Sequence, residues 1–144
     1  TYDMITDYWK DTGTPEDIIH ANGAILEKMK PYFFGKKEET VTISGNVMVG
    51  EGTTIKAGTN ITGPVIIGKD CKIGPHVTIG PNTSIGDSSE LSGCNVENSI
   101  IMSGCKINGD FPIRDSIIAF NAEITRSATP NKVFLLGEGT KISL

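Results

Sequence analysis

The chain has 144 residues, a formal net charge of −4, 38% hydrophobic residues, only 6% aromatic residues and 17 glycines. This length suits one modest domain, or a domain with part of another, and the composition favours a β-solenoid over a helical bundle. The sequence has no long basic cluster, no signal peptide and no apolar run of about 18 residues, so we predict a cytoplasmic protein that binds neither nucleic acid nor membranes.

The first predicted element is a helix that follows Thr14 and ends near Lys30. Thr14 is a good N-cap, Pro15 suits the first helical turn, and acidic residues follow where the helix dipole favours them. Pro31 ends the helix, because proline disfavours helical geometry in the residue before it. The predicted apolar face consists of Ile18, Ala21, Ile25 and Met29, flanked by Ile19 and Leu26.

The residues around the start of this helix resemble a conserved block of a known enzyme family. Residues 8–15 read Tyr-Trp-Lys-Asp-Thr-Gly-Thr-Pro, and Asp17 and Ala21-Asn22 follow. This run resembles the last conserved block of the α/β catalytic domain of sugar-1-phosphate nucleotidylyltransferases. The resemblance implies that Asp11 is a ligand of the catalytic Mg²⁺, with Trp9 and Gly13 shaping its turn. The alternative is that Asp11 caps a turn before Gly13.

Other motifs of that family are missing from the sequence. These are the glycine-rich loop G-x-G-T-R that holds the nucleotide phosphates, the first metal-binding aspartate and the sugar-binding strands. The chain also begins at Thr1 without methionine. We therefore expect residues 1–35 to be the C-terminal remnant of a nucleotidylyltransferase domain, and the 144-residue chain alone to be inactive. Residues 36–40 are predicted to be a linker, and the aromatic residues at 32–34 are predicted to pack against the open end of the next domain.

Residues 41–126 are predicted to form a parallel β-solenoid of about five coils. An aliphatic residue recurs at every sixth position from Ile55 to Leu91, a period that fits neither a helix nor a simple strand. It fits a coil with three flat faces, an inward aliphatic residue on each face and a tight corner after it. The predicted inward residues of the three faces are Val41, Ile61, Ile79, Val96 and Ile113; Val47, Ile67, Ile85, Ile101 and Ile118; and Ile55, Ile73, Leu91, Ile107 and Ile124.

Irregular steps mark both ends of this series. The step of eight from Val47 to Ile55 predicts a bulge at residues 50–52, and steps of five after Leu91 predict shorter faces. The pattern resembles the hexapeptide repeat of left-handed parallel β-helices, and that resemblance implies a left-handed coil, an exception to the usual right-handed connection. Residues 127–144 leave the register and are predicted to form a C-terminal cap or an intersubunit strand.

The C-terminal half extends the family resemblance. The segments 98–101, 115–118, 123–125 and 136–142 resemble the C-terminal domain of long-form glucose-1-phosphate thymidylyltransferases. For the intact protein the resemblance implies that dTTP and glucose-1-phosphate react to give dTDP-glucose and pyrophosphate, with Mg²⁺ as cofactor. The solenoid would then serve as an oligomerisation or regulatory domain, and we expect a homo-oligomer.

A different hypothesis is a hexapeptide-repeat acyltransferase that uses acetyl-CoA, or a bifunctional sugar-nucleotide enzyme. Such acyltransferases use a histidine as general base. His20 lies on the predicted helix, away from any solenoid groove, so His76, at a coil corner, is the weak candidate. Two histidines cannot supply the three-histidine metal site of β-helical carbonic anhydrases.

The three cysteines are expected to be structural. Cys71, Cys94 and Cys105 show no CxxC spacing, and their number is odd. A disulfide framework or a zinc site is therefore not predicted. We expect them to be small buried residues of a reducing compartment.

Overall fold

The structure is a computed structural model that describes residues 14–125 and two further strands at 134–135 and 141–143. These residues form one helix, α1, and nineteen short strands, numbered β1 to β19 in chain order. The strands lie in three parallel sheets, in which each strand pairs with strands about one coil earlier and later in the chain. The architecture is therefore the predicted parallel β-solenoid of about five coils, with one sheet on each face of a three-sided prism. The left hand of the coil stays a prediction.

Each sheet makes one face of the prism. Face 1 consists of β1 Tyr32–Phe33, β4 Val47–Val49, β7 Val65–Ile67, β10 Thr83–Ile85, β13 Ile100–Ile101, β16 Ile117–Ile118 and β18 Phe134–Leu135. Face 2 consists of β2 Lys36–Lys37, β5 Thr54–Ile55, β8 Lys72–Ile73, β11 Glu90–Ser92, β14 Lys106–Asn108, β17 Glu123–Thr125 and β19 Lys141–Ser143. Face 3 consists of β3 Thr42–Ser44, β6 Asn60–Thr62, β9 Thr78–Ile79, β12 Asn95–Glu97 and β15 Pro112–Arg114.

The core lies inside the prism and is built from the inward residue of each strand. The predicted series from Ile55 to Leu91 is confirmed, because each member pairs with the aliphatic residue one coil away. The shorter faces are confirmed too, since Leu91 pairs with Ile107 and Val96 pairs with Ile113. From Ile43 onward, the paired inward residues stack one aliphatic layer on the next, and stability accumulates over the interfaces between coils.

The predicted register is wrong in the first coil of face 1. Val49, not Val47, pairs with Ile67, while Val47 pairs with Val65. The step from Val49 to Ile55 is therefore six, and the predicted bulge at residues 50–52 is absent. Both valines are buried in the core because the first and third residues of a three-residue strand point to the same side. Residue type alone could not choose between two inward positions that are both aliphatic, whereas a strict period of six selects Val49.

Face 3 shows the same shift. Ile43, not Val41, pairs with Ile61, although Val41 is buried as well. The hexad series consequently runs backward without interruption, from Ile55 through Val49 and Ile43.

The ladder of paired strands begins before residue 41. Strand β1 pairs with β4, and strand β2, which lies in the predicted linker 36–40, pairs with β5. Charged residues do not prevent this pairing because the ladder uses backbone groups, and lysines are common on edge strands. The aromatic residues lie at this end as predicted, but Phe33 and Phe34 stay 38% and 63% exposed, and Phe34 stacks on Tyr32 with ring centroids 5.1 Å apart.

The C-terminal strands continue the solenoid. The segment from residue 127 was predicted to leave the register, but β18 pairs with β16 on face 1 and β19 pairs with β17 on face 2. These strands start a further coil.

Helix α1 spans Pro15–Lys28, close to the predicted bounds. Its cap is confirmed, because the Thr14 side chain accepts a hydrogen bond from the backbone N–H of Asp17 at 3.2 Å. The predicted apolar face is partly wrong, since Ile25 is 48% exposed. The buried residues of the helix are Ile18, Ile19, Gly23 and Leu26. Gly23 lies against the side chain of Asn82, the residue before β10, and a β-carbon on it would come within 2.9 Å of that side chain.

Candidate functional site

The predicted metal ligand, Asp11, lies outside the described residues, together with Trp9 and Gly13. In the part of the chain that the structure describes, no group of three or more His, Cys, Asp or Glu side chains could hold a metal ion. Coordination of Mg²⁺ by Asp11 therefore stays a prediction.

His76, the weak acyltransferase candidate, lies at the corner between faces 2 and 3. Its backbone is left-handed, with φ of 57°, and its backbone N–H donates to the carbonyl oxygen of Ala57 at 3.1 Å. The imidazole is exposed and lies over Gly58 of the preceding coil, where a β-carbon would collide with its Nδ1 atom. His76 lines neither of the grooves described below. The other histidine, His20, is exposed on α1, as its place in the sequence predicted.

The three cysteines are buried and free, as predicted. Burial raises the pKa of the Cys94 thiol to about 12, and burial is also the main reason why the pKa values of Cys71 and Cys105 are raised. The Cys71 and Cys105 thiols donate to the carbonyl oxygens of Gly86 and Ala119, both at 3.1 Å. Because the thiolate is the nucleophilic form, these cysteines suit packing rather than catalysis.

The outer side of face 2 carries a column of alternating charge. Lys72, Glu90, Lys106 and Glu123 occupy equivalent positions on successive coils, and all four side chains are exposed. Neighbours are about one strand spacing apart, roughly 4.8 Å, so each neighbouring pair among these four residues is of opposite charge. The column borders a shallow groove of about 330 Å³. We call these four residues the charge column.

The outer side of face 3 is mainly small and polar. Thr42, Asn60, Thr78 and Asn95 follow one another up the face. A second shallow groove of about 260 Å³ lies near Gly80 and the exposed ion pair between Arg114 and Glu97, whose Nε and Oε1 atoms are 3.2 Å apart. An exposed pair of this kind adds little stability. On the described strands of this face, the side chains do not form a catalytic arrangement.

The outer side of face 1 differs from the other two because it is apolar. Met48, Ile66, Ser84, Ile100 and Ile117 form one outward column over successive coils. We call these five residues the helix-docking face. Met48, Ile100 and Ile117 are almost completely buried although they point away from the core.

Helix α1 covers this face. Ile18 and Ile19 pack against Ile100 and Ile117 in a small apolar cluster separate from the main core, with Met102 alongside. Farther along the helix, the Ser84 hydroxyl donates to the side-chain Oδ1 of Asn22 at 2.8 Å.

Asn46 holds the other end of the helix. Its side-chain Nδ2 donates to the carbonyl oxygen of Met29 at 2.6 Å and more weakly to that of Leu26 at 3.4 Å. Carbonyl groups in the last turn of a helix lack partners within the helix, so this amide stabilises the C-terminal end of α1. The helix therefore runs along the face, its C-terminal end beside the first coils and its N-terminal end beside the later ones.

The helix-docking face was not predicted, although the sequence carries a signal for it. Ile66-Ile67, Ile100-Ile101 and Ile117-Ile118 are pairs of adjacent aliphatic residues within strands. Because neighbouring strand residues point to opposite sides of a sheet, such a pair predicts a sheet that is covered on both sides. The docked helix is the element that covers it.

No helix in the described ranges is both long enough and apolar enough to cross a bilayer.

Comparison with known proteins gives a family match and several relatives. Residues 60–143 match the family described as the GMPPB C-terminal domain. The chain is 36% identical over 143 residues to a glucose-1-phosphate thymidylyltransferase of Streptomyces antibioticus, covering 98% of this chain and 40% of that protein. It is 31% identical over 122 residues to the enzyme of the same name from Streptomyces griseus, covering 85% of this chain and 34% of that protein. The chain thus spans well under half the length of these relatives.

Among solved structures, a mutant perosamine N-acetyltransferase of Caulobacter crescentus, in complex with CoA and GDP-perosamine, is similar at 19% sequence identity. The similarity covers 73% of this chain and 55% of that one, with a TM-score of 0.41. A likeness at this level supports no statement about function.

Proposed function

The chain belongs to the GMPPB C-terminal domain family, and we propose that it is the C-terminal solenoid of a sugar-1-phosphate nucleotidylyltransferase. One observation carries this proposal: the 36% identity to a protein named glucose-1-phosphate thymidylyltransferase extends over 98% of the chain, helix and solenoid together. A match to the repeat alone would not distinguish nucleotidylyltransferases from the other enzymes built on this fold.

The proposed reaction of the intact protein joins a sugar-1-phosphate to a nucleotide. A phosphate oxygen of glucose-1-phosphate attacks the α-phosphate of dTTP, the bond to the β-phosphate breaks, and dTDP-glucose and pyrophosphate are formed. Asp11 is the residue of this chain proposed to hold Mg²⁺, which neutralises and orients the triphosphate when bound. The contacts that select the base and the sugar are proposed to lie outside these 144 residues.

The solenoid itself is proposed to support the enzyme rather than to catalyse the reaction. Its described residues bring together no base, nucleophile and pocket of the kind that catalysis needs. What they do provide is a rigid prism with a helix docked on one face. We therefore propose that the isolated chain does not turn over nucleotide and that its surfaces serve assembly or regulation.

The charge column is the feature that best supports assembly. A two-fold axis passing between the Glu90 and Lys106 positions would place Glu90 of each copy against Lys106 of the other, and Lys72 against Glu123. A parallel face-to-face pairing without offset would instead bring like charges together. A face about 25 Å tall offers less contact area than most stable protein interfaces bury. Association through this face alone is therefore proposed to be weak and sensitive to salt.

Light scattering at micromolar concentrations tests this assembly, at low salt and again at high salt. Glu90→Lys should weaken association, because it places two lysines opposite each other twice in each dimer, and adding Lys106→Glu should restore it. Thr78→Lys, a comparable added charge on face 3, is the matched control. A protein that is monomeric under all conditions, or a double variant no better than the single one, would exclude the charge column as the interface.

The enzymatic proposal is tested on the natural gene product that contains these 144 residues. We expect pyrophosphate release with glucose-1-phosphate and dTTP, and a loss of about 100-fold or more in Asp11→Asn, since metal binding at a phosphate is worth several kcal/mol. Asp17→Asn, at the exposed first turn of α1, is the control and should remain active. Release of CoA from acetyl-CoA, abolished in His76→Ala, would support an acyltransferase instead.

A further inference from the structure

We propose that face 1 clamps helix α1 in a single register and that Asn46 and Ser84 are positioning residues for this helix. This inference rests on the proposed function, because the residue expected to bind Mg²⁺, Asp11, precedes the N-cap by three positions. The solenoid would then act as the positional reference for one side of the catalytic site.

The lengths of the two elements match. Helix α1 has 14 residues and is about 21 Å long at 1.5 Å per residue. The helix-docking face runs from Met48 to Ile117 in four steps between coils, about 19 Å at the usual strand spacing. The helix is therefore supported along its whole length, and its N-terminal turns rest on the later coils through Ile18 and Ile19.

Polar contacts select the register. Ser84 interrupts an otherwise apolar column at its centre, and its hydroxyl meets Asn22 at the middle of the helix. A shift of one helical turn, about 5.4 Å, would leave both groups without this partner in an apolar contact, which is unfavourable. The same shift would withdraw the helix end from the Asn46 amide, which now contacts it at 2.6 Å.

The fit around Gly23 also selects this register. A β-carbon at Gly23 would lie 2.9 to 3.3 Å from atoms of the Asn82 side chain, so any other residue brought to this position would force Asn82 to move. Sliding the helix in either direction would replace the glycine by a larger side chain.

Accurate placement matters for the proposed chemistry. A misplacement of about 1 Å caused far from the reacting atoms can reduce a rate by about 100-fold. A helix free to shift by part of a turn would exceed that tolerance. The clamp is thus expected to affect turnover rather than the affinity for nucleotide.

The test uses the full-length protein and the double variant Asn46→Ala/Ser84→Ala. We expect kcat to fall at least tenfold while KM for dTTP changes by less than about threefold, because the lost contacts position a group without touching substrate. Amide hydrogen exchange should increase in residues 15–28 and stay unchanged in the strands of faces 2 and 3.

A reversible disulfide between the helix and the solenoid tests whether holding the helix in place restores kcat. The β-carbon of residue 23 would lie 3.3 Å from that of Asn82, close to the usual disulfide spacing of about 3.8 Å. Gly23→Cys/Asn82→Cys, added to the weakened double variant, should restore kcat when oxidised and lose it again on reduction. The buried native cysteines should not compete. Asn82→Cys alone, in the same background, controls for the change at a residue with φ of 61°.

The possible outcomes separate the clamp from the proposed function. Looser helix amides with unchanged kcat, or a cross-link that forms without restoring kcat, would overturn the positioning role. Unchanged exchange in residues 15–28 would overturn the clamp itself. If the unmodified protein transfers no nucleotide, the proposed function fails, and a positioning role for that reaction falls with it, while hydrogen exchange and disulfide formation still report whether the helix is held.

Discussion

Two adjacent isoleucines of β13 should respond differently to the same substitution. Ile101 points into the core and is 1% exposed, whereas Ile100 points outward under α1 and is 2% exposed. Replacing either by alanine removes the same buried atoms and leaves a cavity, at a cost of about 2–5 kcal/mol. The side chains differ only in which interface they fill.

For Ile101→Ala we expect a loss of stability in the whole solenoid. A cost of about 3 kcal/mol corresponds to a decrease in Tm of roughly 6–12 °C for a chain of about this size. The expected decrease is seen by far-ultraviolet circular dichroism in the β signal. It spreads to neighbouring coils because each coil is stabilised by the next.

For Ile100→Ala we expect the helix to loosen first. A 14-residue helix is marginal by itself, so once docking is weakened by about 3 kcal/mol its amides should exchange about 100-fold faster. Strands on faces 2 and 3 should keep their protection. If Ile100→Ala lowered the solenoid Tm as much as Ile101→Ala and left residues 15–28 protected, the assignment of the two sides of face 1 would be refuted.

Three further predictions test the register, the thiols and the helix cap. Ile73→Asp buries an unpaired charge in the core and should prevent folding or lower Tm severely, whereas Lys69→Asp at an exposed corner should change Tm little; equal melting would contradict the register. Cys94 should resist iodoacetamide at pH 8 in the folded protein and react after unfolding. The reason is that its pKa of about 12 leaves almost no thiolate until the pH is much higher. Rapid labelling of the folded protein would show that the thiol is accessible. Thr14→Ala should cost about 1 kcal/mol of helix stability and Thr14→Ser much less, as measured by exchange of the first helical amides; equal losses would mean that the hydroxyl does not cap the helix.

The fold could be predicted because its signal is repeated. Each aliphatic residue from Ile55 to Leu91 supports the same register. A misleading residue at one position therefore does not change the register that the others indicate. At the first coil residue type is ambiguous, since Val47 and Val49 are both aliphatic and both inward, although only Val49 keeps the period of six. There the backbone pairing with Val65 and Ile67 decides, and that pairing is a property of the neighbouring coil.

The candidate site was less predictable because it depends on contacts between distant segments. Asn22 and Ser84 are 62 residues apart, and neither shows a distinctive local pattern. Helical periodicity placed Ile25 on the buried face, but contact with face 1 buries Gly23 instead. A glycine has no hydrophobic signal, so its importance is visible only when Asn82 is seen against it.

The sequence alone therefore determined the solenoid, its shortened later coils, the helix with its Thr14 cap and the inert cysteines, because each of these depends on local spacing or residue type. Only the tertiary structure decided where the helix lies, which of its residues are buried, and how the first and last coils join the ladder. Those features depend on which surfaces remain uncovered once the coils have stacked. The paired isoleucines mark such a surface in the sequence, but its partner is identified only when helix and sheet are seen together.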